Sequence, residues 1–174
     1  MLVVVKIGGS AITDKSKLET LKQEQLDTTA AQIAASFADG TRFVVVHGAG
    51  SFGHHQAREY GVKGGLEQGG AYGFAVVRRS VTLLNHAVVS SLVRAGLPAV
   101  SLPSFPTWTC QGGKLTVDGL PSVKAALEAG MVPVMHGDAV LDILKGCTIL
   151  SGDDIMAALA GPGGVGPGCA VFLT

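Results

Sequence analysis

Cationic side chains beside glycine turns are the chemistry this sequence offers first. In VVKIGGSAITDK, Lys6 precedes Gly8 and Gly9, Ser10 follows them, and the chain returns to a cation at Lys15. Glycines let backbone N–H groups face an anion, and a serine hydroxyl adds a donor. The Gly-x-x-x-x-Gly-Lys-Ser/Thr spacing of a P-loop is absent. The plain alternative is a tight turn with two solvated lysines. In FVVVHGAGSFGHH, the pattern Gly48-x-Gly50-x-x-Gly53 follows an apolar run and ends on His54 and His55. A dinucleotide loop would want an acidic residue about 20 positions further on, at the end of a second strand. Glu67 falls near there, but inside the glycine-rich GGLEQGG. A phosphate site makes better use of His54, whose imidazole gains a proton beside an anion, so that binding and protonation reinforce each other.

A third stretch, ILSGDD, supplies Gly152, Asp153 and Asp154 where a helix should start. Asp153 is either an N-cap carboxylate or the group that holds both lysines near the phosphates. Asp138, after Gly137 in MHGD, carries the same ambiguity, with the cap reading favoured. The other histidines make weaker claims. His47 and His136 close strands and could orient loops, His55 reads as a neighbour of His54, and His86 reads as a packing residue within a helix. No set of side chains has metal-ligand spacing. Lysines, a histidine and glycine amides without a clear base suit phosphoryl transfer, which needs positioning and charge neutralisation more than covalent chemistry. A lysine between two phosphates would stabilise charge on the moving group.

The elements that must carry these groups follow from pattern. Continuous β-branched or apolar runs predict buried strands at Leu2–Lys6, Arg42–His47 and Val132–Met135, and further strands at Leu97–Pro103 and Cys169–Thr174. Helical spacing predicts helices at Leu18–Ala38, Ser51–Tyr60, Ala71–Ala95, Ser122–Ala129 (capped by Ser122) and Asp153–Ala160, with Gly40, Gly96 and Gly130 as stops. TWTCQGGKLTV alternates around Gly112–Gly113 and predicts a hairpin. Strands alternating with helices give an α/β class, a three-layer αβα sandwich with a mainly parallel sheet. Ligands on such sheets sit beyond the carboxyl ends of the strands. KIGGS, HGAGSFGH, MHGD and LSGDD should therefore share one rim. With 174 residues and no visible linker or repeat, residues 1–174 read as a single domain.

Bulk properties narrow the partners. Thirteen basic residues balance thirteen acidic ones, which argues against nucleic acid or an anionic membrane surface and confines any phosphate site to local groups. No apolar run reaches the roughly 18 residues needed to cross a bilayer. Three cysteines at wide spacing make neither a disulfide framework nor a zinc pattern, so a reducing, cytoplasmic setting is expected.

VVKIGGSAITDK, VVVHGAGSFGHHQAREYGV and ILSGDDIMAALA resemble the amino acid kinase superfamily, and the histidine closing GSFGH resembles its isopentenyl phosphate kinase branch. The resemblance covers essentially the whole chain. It implies ATP-dependent phosphorylation of isopentenyl phosphate to isopentenyl diphosphate, with Mg²⁺ carried by ATP. It would place Lys6, Gly8, Gly9, Ser10 and Gly50 on the ATP phosphates and Lys15 at the transition state. His54 and the amides of Ala49 and Gly152 would hold the acceptor phosphate, and Asp153 would position the lysines. The apolar tail would lie among helix side chains between Ala71 and Val89. It also implies a homodimer through the N-terminal helices. Family members continue past the strand matching Cys169–Thr174 into a nucleotide-binding half, so a C-terminally truncated version is expected here. Two alternatives remain: a kinase of another small phosphate or phosphonate, such as the fosfomycin-resistance kinases that share the histidine loop, and a non-catalytic form that binds ligand only.

Overall fold

The computed structural model describes all residues, Met1–Thr174. The chain opens with β1 (Leu2–Ile7), then a single helical turn α1 (Gly9–Ile12), α2 (Gln23–Ala38) and β2 (Arg42–His47). A 3-10 turn, Gly50–Phe52, leads to α3 (His54–Glu59) and the long α4 (Leu66–Arg94). β3 (Ala99–Ser101), β4 (Thr109–Gln111), β5 (Lys114–Val117), α5 (Leu120–Glu128) and β6 (Val132–His136) follow. The last elements are β7 (Asp138–Asp142), β8 (Gly146–Leu150), α6 (Gly152–Ala160) and β9 (Cys169–Leu173).

The main sheet runs β3-β6-β2-β1-β9, and every neighbouring pair is parallel. The two-residue period of a strand sends alternate side chains to opposite faces. Val3, Val5 and Ile7 of β1, with Phe43 and Val45 of β2, pack against Leu26, Ala30 and Ile33 of α2 and Leu84, Val88 and Leu92 of α4. Leu2, Val4, Val44 and Val46 face the other way, onto Leu120, Val123 and Leu127 of α5 and Ile155, Met156 and Leu159 of α6. Both faces of β1, β2 and β6 are therefore covered, which is why these strands read as continuous apolar runs, whereas the edge strand β9 is largely exposed. The result is the expected αβα sandwich.

Several local expectations need correction. A second sheet, β5-β4-β7-β8, stands beside the first, and its β7–β8 hairpin was not anticipated. Two aspartates interrupt that sequence, yet Asp142 accepts N–H bonds from Gly112, Gly113, Leu144 and Lys145 and so ties two hairpin turns together. The expected helix from Leu18 starts only at Gln23, because the residues before it form a loop over α1. The expected helix from Ser51 is split by Gly53 into a 3-10 turn and α3. Helix α4 starts at Leu66, and Gly70 (φ 62°, ψ 166°) kinks it next to its expected start at Ala71. Ser122 lies inside α5, whose N-cap is Gly119. His86 is exposed rather than packed.

Candidate functional site

Parallel strands deliver their carboxyl ends to one side, and the loops gather there around a cavity of about 330 Å³. Gly8, Gly9, Ser10 and Lys15 come from the loop after β1, and Gly48, Ala49, Gly53 and His54 from the loop after β2. Gly137 and Asp138 follow β6, and Ser151, Gly152 and Asp153 open α6. Lys6, at the end of β1, reaches the same space. Of the residues given phosphate-handling roles from sequence, Gly50 alone lies elsewhere, on a larger neighbouring hollow that also takes in Lys15, His54, His55 and Asp154.

The first two glycine loops touch backbone to backbone. A Cβ on Gly9 would stand 2.5 Å from the Gly50 nitrogen, and one on Gly48 would stand 2.8 Å from the Gly9 nitrogen. Thr13 stitches the loops together from below. Its buried hydroxyl donates to the Gly9 carbonyl at 2.6 Å and accepts the Ser51 N–H at 3.0 Å. Gly50, at φ 50°, has no room for a side chain beside that hydroxyl. The Gly8 N–H is already spent on the Leu173 carbonyl at 2.7 Å. The N–H groups of Gly9 and Ser10 begin α1 and so lack partners within the helix.

Lys6 donates to Asp153 Oδ1 at 2.5 Å, with the amine mostly covered and the carboxylate mostly exposed. Its ammonium also lies 5.8 Å from the Phe172 ring centre. Asp153 reaches only this one of the two lysines, since the Lys15 ammonium has neither an ion pair nor a hydrogen bond. Asp153 is not the cap of α6. Ser151 holds that place, accepting the Asp154 N–H, while Asp154 Oδ2 takes the Ser151 N–H and hydroxyl. This Ser-x-x-Asp capping box was legible in LSGDD and leaves Asp153 free to face the cavity. Partial burial lowers the His54 pKa, and the nearby charges of Lys15, His55 and Arg58 lower it further. An anion placed between Lys15 and His54 would counter those charges.

Behind the rim lies a buried polar layer. His47 and His136 stack with ring centres 5.3 Å apart, and His47 Nε2 sits 3.1 Å from Asn85 Oδ1. Burial lowers both imidazoles, His136 down to about 3. Asp138 is no helix cap. It opens β7 fully covered, accepts a hydrogen bond from Arg78, and is pushed up to about 7 by burial, against the pull of the Arg78 charge. The apolar wall of the cavity is Ala57, Val77, Val81 and Ile149, from α3, α4 and β8. Ile149 belongs to the hairpin that sequence reasoning missed. No group of three or more His, Cys, Asp or Glu side chains is placed to hold a metal ion, and no helix is long and apolar enough to cross a membrane.

Residues 1–174 match the model of the amino acid kinase family. The chain is 38% identical over 209 residues to an isopentenyl phosphate kinase from Arabidopsis thaliana, covering 98% of this chain and 62% of that protein. It is 40% identical over 164 residues to an isopentenyl phosphate kinase from Haloferax volcanii, covering 91% of this chain and 64% of that protein. A solved isopentenyl phosphate kinase superimposes with a TM-score of 0.92 at 31% identity, covering 100% of this chain and 72% of that one. A product complex of the T. acidophilum isopentenyl phosphate kinase gives a TM-score of 0.86 at 32% identity, with 100% and 70% covered. The chain spans about three-fifths of the length of the curated relatives it matches.

Proposed function

Because the chain belongs to the amino acid kinase family, we propose that it serves the ATP-dependent phosphorylation of isopentenyl phosphate to isopentenyl diphosphate, contributing the acceptor site and the first part of the nucleotide site. The observation that carries this reading is one small cavity with two characters. Lys6, Lys15 and His54 border it together with glycine loops, and Ala57, Val77, Val81 and Ile149 line the same space. A small phosphate with a five-carbon tail needs that combination, because the tail gains from leaving water while the charged end must stay paired.

The roles follow from reach and charge. Gly9, Ser10 and Lys6 suit the phosphates of ATP, with Asp153 fixing the direction of the Lys6 amine. His54 and the amides of Ala49 and Gly152 suit the acceptor phosphate. Lys15, free of any carboxylate and bordering the cavity beside His54, suits both the acceptor phosphate and the group in transit, where a mobile positive charge is worth most in a water-poor site. Mg²⁺ would neutralise charge on the transferring phosphates. Asp153 is engaged with Lys6 and Asp154 with Ser151, so the ion is expected to ride on ATP rather than on a protein cage. The same reading carries two further expectations: a homodimer through the N-terminal helices, and a cytoplasmic setting supported by three unpaired thiols, Cys110, Cys147 and Cys169.

The test gives the folded chain Mg-ATP and isopentenyl phosphate and measures both binding and diphosphate formation. Diphosphate supports the full reading. Tight binding of isopentenyl phosphate without transfer limits this stretch to the acceptor site. Preference for a tailless phosphate, or no binding at all, overturns the substrate assignment.

A further inference from the structure

The Lys15 ammonium makes no hydrogen bond and no ion pair, so its position is inherited from the loop that carries it. That loop leaves α1 and returns to α2 through a closed neck. Asp14 donates its N–H to the Thr20 carbonyl at 2.9 Å, and the Lys22 N–H goes to the Ile12 carbonyl at 2.8 Å. Thr13 and Leu21 form an isolated antiparallel bridge. Within the loop stands Glu19, at φ 49° the one non-glycine residue of the chain with a positive φ. A left-handed conformation is unfavourable for a residue with a Cβ and persists where surrounding contacts hold it.

Those contacts converge on Glu19. Its N–H donates to the Ser51 carbonyl at 3.2 Å, and the next N–H, of Thr20, goes to the Ser51 hydroxyl at 3.1 Å. Its Oε1 accepts from the Ser80 hydroxyl at 2.7 Å and from Gln56 Nε2 at 3.3 Å, and Gln56 Nε2 is also 3.1 Å from Ser80 Oγ. Ser80 and Gln56 are buried, and Gln56 Oε1 is left with no partner. An unsatisfied buried amide oxygen is costly, so this arrangement is not one that packing alone would choose. Ser80 lies on α4 between Val77 and Val81, two residues of the cavity wall. On the other side, His55 Nε2 stands 3.1 Å from the Lys15 carbonyl and can donate to it.

Resting on the kinase reading above, we propose that Glu19 is a positioning residue. Its carboxylate clamps the Lys15 loop and fastens it to the helix that lines the apolar wall, so that lysine and tail pocket keep one fixed relation. Glu19 touches no reacting atom in this arrangement and acts through Lys15.

Three variants separate carboxylate from backbone and from mere folding. Glu19→Gln keeps the Oε1 acceptor. Glu19→Gly removes the clamp but accommodates the φ. Glu19→Ala removes the clamp and keeps the strain. Hydrogen exchange of the amides of residues 14–20, measured without ligand, is expected to speed up about tenfold in Glu19→Ala and Glu19→Gly, with β1 unchanged and Glu19→Gln close to the parent. Titration with isopentenyl phosphate is expected to show Glu19→Ala about tenfold weaker and Glu19→Gln within about twofold, while adding Glu19→Ala to Lys15→Ala costs nothing more. Unchanged exchange, a Glu19→Gly variant that behaves like the parent, or losses that simply add in the double variant would overturn the proposal. If the parent chain takes up no isopentenyl phosphate, the kinase reading fails, and the exchange experiment still decides whether Glu19 holds the loop.

Discussion

His54 is the side chain whose removal should separate the two substrates. It borders the cavity with Lys15 but shares no hydrogen bond with the β1 loop. His54→Ala is expected to weaken isopentenyl phosphate binding about tenfold or more while leaving ATP binding within about twofold, since a charge-assisted hydrogen bond is worth roughly twice a neutral one. Titration calorimetry with each ligand checks this, and equal losses would contradict the assignment. Thr13 offers a contrasting case. Thr13→Val keeps the shape of a buried side chain but orphans the Ser51 N–H, so a loss of about 1–3 kcal/mol is expected from urea unfolding. The two positions differ in how well sequence announced them. His54 was visible because a histidine after a glycine loop is unusual chemistry. Thr13 looked like any polar residue in a loop, and its role appears only when two loops distant in sequence are brought into contact.

Among the elements, strands and helices with both faces buried were easy to read, because β-branched runs and terminal glycines are local signals. The β7–β8 hairpin was hidden for a physical reason. Asp138 and Asp142 look like loop residues, yet each has partners remote in sequence, Arg78 in one case and the N–H groups of Gly112 and Gly113 in the other, where Leu144 and Lys145 add two local N–H bonds. Ile149, the one wall residue that no helix carries, lies within that hairpin and was hidden with it. The loop before α2 was hidden likewise, since Glu19 holds its left-handed turn through α3 and α4. At α6 the capping box makes a direct prediction. Ser151→Ala should cost about 1 kcal/mol, seen as a fall of about 2–4 °C in melting temperature for a chain of this size. Asp153→Ala should leave the cap intact and melt close to the parent, because its carboxylate holds Lys6 rather than the helix end.

For the molecule as a whole, the buried polar layer sets the response to acid. Burial lowers both His47 and His136 in the folded chain, His136 to about 3, whereas the unfolded chain protonates both near 6.5. Asp138 does the reverse, holding its proton up to about 7 when folded and releasing it near 3.8 when unfolded. Between about pH 4 and 6.5 the proton that the unfolded chain binds at His136 is offset by the one that the folded chain keeps at Asp138, and the lowered His47 tips the balance toward the unfolded chain. The unfolded state is therefore ahead in bound protons, so stability should fall as the pH drops through the histidine range. Replacing His136 with Gln removes one proton from the unfolded side and should lower the slope by about 1.4 kcal/mol per pH unit relative to the parent. Urea unfolding at pH 5 and 6 checks both statements. An unchanged slope in His136→Gln would mean that the pair of rings is not what the molecule feels.

The bare contact between Gly9 and the loop of Gly48 and Gly50 has a consequence for how ligands arrive. With main chain resting on main chain there is no side chain to swing aside, so the receptive surface exists before anything docks. Anions of the right size should associate without waiting for a slow rearrangement, and what they gain on arrival is not taxed by ordering the floor beneath them. The same rigidity makes the cradle unforgiving: one added methyl at Gly9 or Gly48 acts as a wedge that displaces both halves together.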